Sequence, residues 1–233
     1  LLLDKMDLGK GTVCIEGQEY DLNDTYFPTI DFKQPYVLSE EEQKVMEDLR
    51  ASFRNSHVLR DHVEFLYEKG SIYRVYNGNL LFHGCIPLDE NGNLDGIQIG
   101  EKFYCGKEYM DYAQRVARLA FYQGTRPALD FMWYLWNGAK SPVFGKDKNR
   151  SFEHYFIEDP EVMRETMNPY YQLSEEEETC DMILKEFGLP TKGSHIINGH
   201  MPVKIKSGET PIRAGGKLFI IDGGLSKAYQ ERT

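Results

Sequence analysis

Positive charge is scarce in this chain. Only 27 Lys and Arg stand against 37 Asp and Glu in 233 residues, for a net charge of −10. A field of that sign repels nucleic acid and anionic lipid, so neither a nucleic-acid nor a membrane partner is expected. Cysteine is sparse as well: Cys14, Cys85, Cys105 and Cys180 are scattered, with no C-x-x-C pair. That argues against a disulfide framework or a thiolate zinc site and fits reduced thiols in a cytoplasm. No apolar run approaches the roughly 18 to 20 residues that span a bilayer. The opening LLLDKMDLGKG has too short an apolar stretch for a signal peptide, and that stretch carries an acid. Internal repeats and low-complexity linkers are missing too. What is present, 41% hydrophobic and 27% charged residues, reads as globular. The length predicts one large domain or two small ones, with a full core.

Local signals then lay out a mixed α/β chain. Residues 11 to 38 read as short strands and loops. Ser39 with Glu42 forms a capping box, and Val45, Met46, Leu49 and Phe53 follow at helical spacing. A second helical run holds Leu59, Val63, Leu66 and Tyr67 and stops at Gly70. Asn77-Gly78 between two β-prone runs predicts a hairpin, because both turn residues need positive φ. Another hairpin is expected in IQIGEKFYC, turning near Gly100. Helices follow over 111–122 and from Pro127, where Leu129, Met132, Trp133 and Trp136 form a stripe expected to face the core. Ser174 with Glu177 suggests one more capped helix, ending at Gly188. Strands return at His195-Ile196-Ile197 and over 217–222.

Two segments share a design. Leu81-Phe82-His83-Gly84 and Ile197-Asn198-Gly199-His200 each place a histidine beside a glycine at the exit of an apolar strand. Neutral imidazole is a common metal ligand, and glycine lets backbone bend and an ion approach. Ligands also gather at the carboxyl ends of strands in α/β sheets. A single strand-end histidine is more often a hydrogen-bonded structural residue than a ligand, and two imidazoles do not complete a catalytic metal site. The other histidines add little: His57 and His62 are five apart on a helix, His154 lies in an aromatic loop, and His195 points into or across a sheet.

The same residues carry a resemblance. NLLFHGCIPLDENGN and SHIINGHMPVKIKSGETPIRAGGKLFIIDGGLSKAYQ resemble the last two metal-binding motifs of the class III (Firmicutes-type) fructose-1,6-bisphosphatases. MWYLWNGAKSPVFGKDKNRSFEHYFI and NPYYQL are similar to the same family, so the likeness runs through nearly the whole chain. The family belongs to the calcineurin-like metallophosphoesterases. The resemblance implies an α/β fold forming part of a β-sandwich flanked by helices, with a helical segment about 107–190 between the two histidine motifs. It implies that His83 and His200 bind the second of two metal ions, with manganese as the metal. It also implies a sugar bisphosphate as substrate, a cytoplasmic setting and a place in gluconeogenesis. A homo-oligomer is left open.

The superfamily's D-x-H, G-D-x-x-D-R-G and G-N-H-D motifs do not occur in this sequence. The carboxylates that hold the first metal are therefore missing, as is any catalytic acid. The chain is expected to be a carboxyl-terminal portion of one catalytic domain, inactive alone. Asn198 and Asp222 are candidates to orient a ligand imidazole, although Asp222 also reads as a plain turn residue. Phosphate candidates are Lys146, Arg150, Lys204, Arg213 and Lys227, with Tyr229 lining the site. Trp133 and Trp136 are assigned to the core. A protein serine/threonine phosphatase would share both histidine turns, and a non-catalytic regulatory or oligomerisation module is the remaining alternative.

Overall fold

Local chemistry fixes most of the elements. A computed structural model describes residues 2–222. In chain order the strands and helices begin with β1 (Met6–Asp7), β2 (Thr12–Ile15) and β3 (Gln18–Asp21), then α1 (Glu40–Arg54) and α2 (His57–Lys69). Next come β4 (Tyr73–Tyr76), β5 (Asn79–Phe82), β6 (Gly96–Ile99) and β7 (Lys102–Cys105). Helices α3 (Gly106–Gln123), α4 (Arg126–Asn137), α5 (Ser151–Phe156), α6 (Tyr170–Leu173) and α7 (Glu177–Glu186) follow. Strands β8 (Ile196–Asn198), β9 (Ile212–Arg213) and β10 (Leu218–Ile220) close the order. The class is α/β, as expected.

Two compact units share these elements. One takes the described residues up to Gly70 together with Arg150–Arg164; the other takes Ser71–Asn149 and the described residues from Glu165 on. The first unit has a three-stranded antiparallel sheet, with Val13 and Ile15 of β2 buried beside Ile157 and Val162. The capping box at α1 is complete: Ser39 accepts from the Glu42 amide, and Glu42 accepts from the Ser39 amide. Neither α1 nor α2 buries a residue, so Val45, Met46, Leu49 and Phe53 are exposed despite their helical spacing.

The second unit is built on a five-stranded sheet of order β4-β5-β8-β10-β9. Its β4–β5 hairpin turns at Asn77 (φ 50°) and Gly78 (φ 76°), the positive-φ pair the turn demands. The inner strands β5, β8 and β10 are mutually parallel, with Leu80, Ile196 and Leu218 in one row. That row is buried, and each such side chain contributes about 1.5–3 kcal/mol. It packs with Met110 of α3, Tyr170 of α6 and Cys180, Ile183 and Leu184 of α7. The sheet's core face therefore meets helices.

Two expectations change here. Ser174 closes α6 rather than capping α7, whose N-cap is Glu176. The four residues of α6 make a turn of their own and use Ser174 as its end. The second concerns α4. Ala128, Phe131 and Leu135 are its buried row, while Trp133 (64% exposed), Trp136 (59%) and Leu129 face outward. The two indoles meet edge-on, 5.0 Å between centroids. Periodicity identified a stripe on α4 but picked the wrong one, because Phe131 and Tyr112 of α3 pack together and orient the helix. Among the described residues no helix is long and apolar enough to cross a membrane, and the four cysteines are free.

Candidate metal centre

Because β5 and β8 are parallel and in register, the chain leaves both at the same end of the sheet. The pairing goes one step beyond the strands: the Gly199 amide donates to the His83 carbonyl at 3.0 Å. Asn198 adds a clamp. Its buried Nδ2 donates to the Gly84 carbonyl (3.2 Å) and to the Tyr170 hydroxyl (3.1 Å). Two turns lying 117 residues apart in the chain are thereby locked side by side.

The imidazoles meet. His200 Nδ1 lies 3.1 Å from His83 Nε2, with the ring planes at 82°. His200 Nε2 lies 3.0 Å from the Phe144 carbonyl. A carbonyl only accepts, so Nε2 carries the hydrogen and Nδ1 presents its lone pair. His83 is then the donor between the two rings, through Nε2–H. Burial pushes the His200 pKa below its usual value, with His83 and Lys146 adding to the shift and the Phe144 carbonyl and Asp222 opposing it. The ring is thus favoured in its neutral form, the form a metal requires.

Backbone at the two turns is unequal. His200 itself takes φ 71°, the left-handed region that side chains avoid, and neither Gly84 nor Gly199 does. The glycine expected to bend the second turn leaves that strain, of order 1–3 kcal/mol, to the histidine.

A divalent cation fits this pair. His83 and His200 would hold it through two imidazole nitrogens that lie 3.1 Å apart at one end of the sheet, the donor type such an ion accepts. The set is incomplete, however. Among the described residues no group of three or more His, Cys, Asp or Glu gathers in the way a metal needs.

The remaining candidates are distributed unevenly. Asp222 follows β10 at the same sheet end, and its carboxylate oxygen would be 3.9 Å from a Cβ built on Gly199. Asn198 holds the turns together through its amide, and its Oδ1, also buried, has no hydrogen-bond partner. Lys146 follows Phe144 closely enough for its charge to act on His200, and it pairs with Glu165 at 2.6 Å. Lys204 is exposed, with its amide on Glu209. Arg213 pairs across β9–β10 with Leu218, level with the strand beginnings and away from the histidines, and it is engaged by Glu175 and Glu209. Arg150 belongs to the other compact unit, where it is buried against Glu153 (2.6 Å) and Glu16 (2.8 Å). Lys227 and Tyr229 lie outside the described residues. Sequence reasoning missed Tyr171, whose ring centroid is 6.4 Å from that of His200 and whose buried hydroxyl has no partner. It also missed the Phe144 carbonyl, because a main-chain acceptor leaves no trace in residue type.

Comparison with known proteins finds relatives along the whole chain. The chain is 50% identical to the class 3 fructose-1,6-bisphosphatase of Clostridium tetani (strain Massachusetts / E88) and 51% identical to that of Clostridium botulinum (strain Alaska E43 / Type E3). All of the chain is covered in both, but it spans only 36% of each relative's length. No solved structure matches it. The sequence model of the Firmicute fructose-1,6-bisphosphatase family matches residues 1–233, and the chain belongs to that family.

Proposed function

We propose that this chain supplies two metal ligands, His83 and His200, to a fructose-1,6-bisphosphate 1-phosphatase, acting as part of a longer protein. The observation that carries the reading is the 3.1 Å approach of two imidazole nitrogens at the carboxyl ends of parallel strands. A divalent cation, manganese by its tolerance of both imidazole and carboxylate, would supply the charge that lowers the pKa of a bound water and steadies phosphoryl oxygens. The chain's own part is positional. His200 is held neutral with Nδ1 turned toward His83, Asn198 keeps the turns in register, and Asp222 brings negative charge to the same end. Lys146 is a basic side chain whose charge acts on His200, and it is the first choice among the described residues for a phosphate contact. Two imidazoles alone leave most of a coordination sphere to water, so the 233-residue chain should bind metal weakly and turn over nothing. A cytoplasmic, gluconeogenic setting belongs to the same proposal.

The test is made in the parent-length protein. His83→Ala and His200→Ala should each lower kcat about 10²-fold or more with fructose 1,6-bisphosphate and manganese, with circular dichroism unchanged. Near-normal turnover of His200→Ala at saturating manganese would remove it from the site. Faster release of phosphate from phosphopeptides than from the sugar bisphosphate would move the assignment to a protein phosphatase.

A further inference from the structure

One segment touches both histidine turns, and of it only the Phe144 carbonyl has entered the reading above. Residues 141–145, Ser-Pro-Val-Phe-Gly, form a tight turn after α4. The Pro142 carbonyl accepts from the Cys85 amide at 2.9 Å, two residues after His83. It also lies so close to Gly84 that a Cβ there would stand 2.3 Å from its oxygen. The next carbonyl but one, that of Phe144, holds His200 Nε2 at 3.0 Å. A single turn thus backs one histidine's loop and grips the other histidine's ring.

Ser141 holds that turn together. Fully buried, its Oγ donates to the Leu135 carbonyl (2.6 Å) and accepts from the amides of Val143 and Phe144, both at 3.3 Å. The Gly145 amide returns to the Ser141 carbonyl at 3.0 Å, and the Gly145 carbonyl accepts from Asn168 at 2.9 Å. Gly145 takes φ 65°, and any Cβ there would stand 2.5 Å from the Tyr171 hydroxyl. The Phe144 carbonyl is therefore fixed before any ligand arrives.

We propose that the Ser141–Gly145 turn is the positioning device of the site: through the Phe144 carbonyl it commits His200 to the Nε2–H tautomer and leaves Nδ1 as its ligand atom. Ser141 acts through that turn and touches no metal or substrate. His83 has no comparable constraint from this turn. Its Nε2 carries the hydrogen that His200 Nδ1 accepts, so His83 must shift that proton to Nδ1 before Nε2 can bind an ion. One ligand is preset and the other adapts. Outer hydrogen bonds of this kind typically change metal affinity 10- to 100-fold.

The tautomer claim stands without the metal, whereas the affinity claim rests on the proposed function, and the experiment separates them. The chain labelled with 15N-histidine is studied by long-range 1H–15N correlation at pH 8 in EDTA, which distinguishes protonated from bare ring nitrogens. Wild type should show His200 with Nε2 protonated. In Ser141→Ala the tautomer ratio of His200 should move about tenfold toward Nδ1–H, the size of one net hydrogen bond, and His83, which shares one hydrogen bond with that nitrogen, should move its proton from Nε2 toward Nδ1 in step. Gly84→Ala, which pushes on Pro142 from the other side, gives a second route to the same shift should Ser141→Ala not fold. A wild-type His200 protonated on Nδ1, or an unchanged ratio in a folded variant, would overturn the proposal. Manganese is then titrated into the EDTA-free chain. Selective broadening of His83 and His200, weakened about tenfold or more in the variant, supports the role toward metal. Absence of broadening in wild type, with the tautomer as expected, would sink the metal reading and leave the turn's grip on His200 standing.

Discussion

Each histidine turn has a glycine next to it, and the two glycines do different work. Gly84 is small because the Pro142 carbonyl lies where its Cβ would be; Gly199 has only ordinary contacts there, 3.7–3.9 Å to Asp222 and the His83 carbonyl. The left-handed bend, a conformation that favours glycine, is made by His200. The first turn is thus shaped by packing and leaves its imidazole exposed. The second is shaped by hydrogen bonding, with a half-buried ring under backbone strain. Similar sequence patterns reach one site by unlike physical means.

The sharpest way to break this contrast is at Gly84. Gly84→Ala drives a methyl group into a backbone carbonyl that cannot swing aside, and should cost about 2 kcal/mol in urea unfolding. A loss below about 0.5 kcal/mol would mean that the turn has slack. At His200 the expected effect is smaller and depends on the replacement. His200→Gly and His200→Ala both lose the ring, but glycine relaxes φ 71°, so it should be the more stable of the two by about 1 kcal/mol. Equal stabilities would show that the bend belonged to the ring's bonds and vanished with them.

A pH series sharpens the same difference. His200 in the folded chain has its pKa lowered, chiefly by burial, from the 6.5 of a free imidazole. As pH falls the unfolded chain takes up this proton first. The contribution to stability is therefore whole above about 6.5 and is lost as pH drops through the folded pKa. In EDTA, Tm between pH 7.5 and 5 should fall more steeply for wild type than for His200→Gln. Parallel curves would place His200 in water. The smallest expected effect is at Gly199: Gly199→Ala should leave stability within about 0.5 kcal/mol of wild type, as its open surroundings and ordinary φ allow.

Features written in short-range chemistry were legible before any coordinates. The Ser39 cap, the Asn77-Gly78 hairpin and the strand-end placement of both histidines depend on residues a few positions apart, whose types state the requirement. The outward face of α4 was not legible. Trp133 and Trp136 lie on a helical stripe as apolar as the one that is buried, and only packing against α3 chooses between them. Arg150 read as a phosphate ligand because its charge is visible in sequence, while its partner Glu16 lies 134 residues away. The grip on His200 was invisible for a deeper reason: its acceptor is a main-chain oxygen, and its organiser is a serine like any other.

The parallel pairing of β5 with β8 also has a consequence in time. At synthesis rates of roughly 5 to 20 residues per second, β5 waits on the order of ten seconds for the strand that will cover its open edge. Its other edge is occupied early by β4 through the local hairpin, and α3 can pair with α4 without waiting. During that interval a row of amide and carbonyl groups beside Leu80 and Leu81 has no strand to bond with. The geometry that later aligns two imidazoles is, during synthesis, an adhesive edge, and the nascent chain carries it until Ile196 and Ile197 are made.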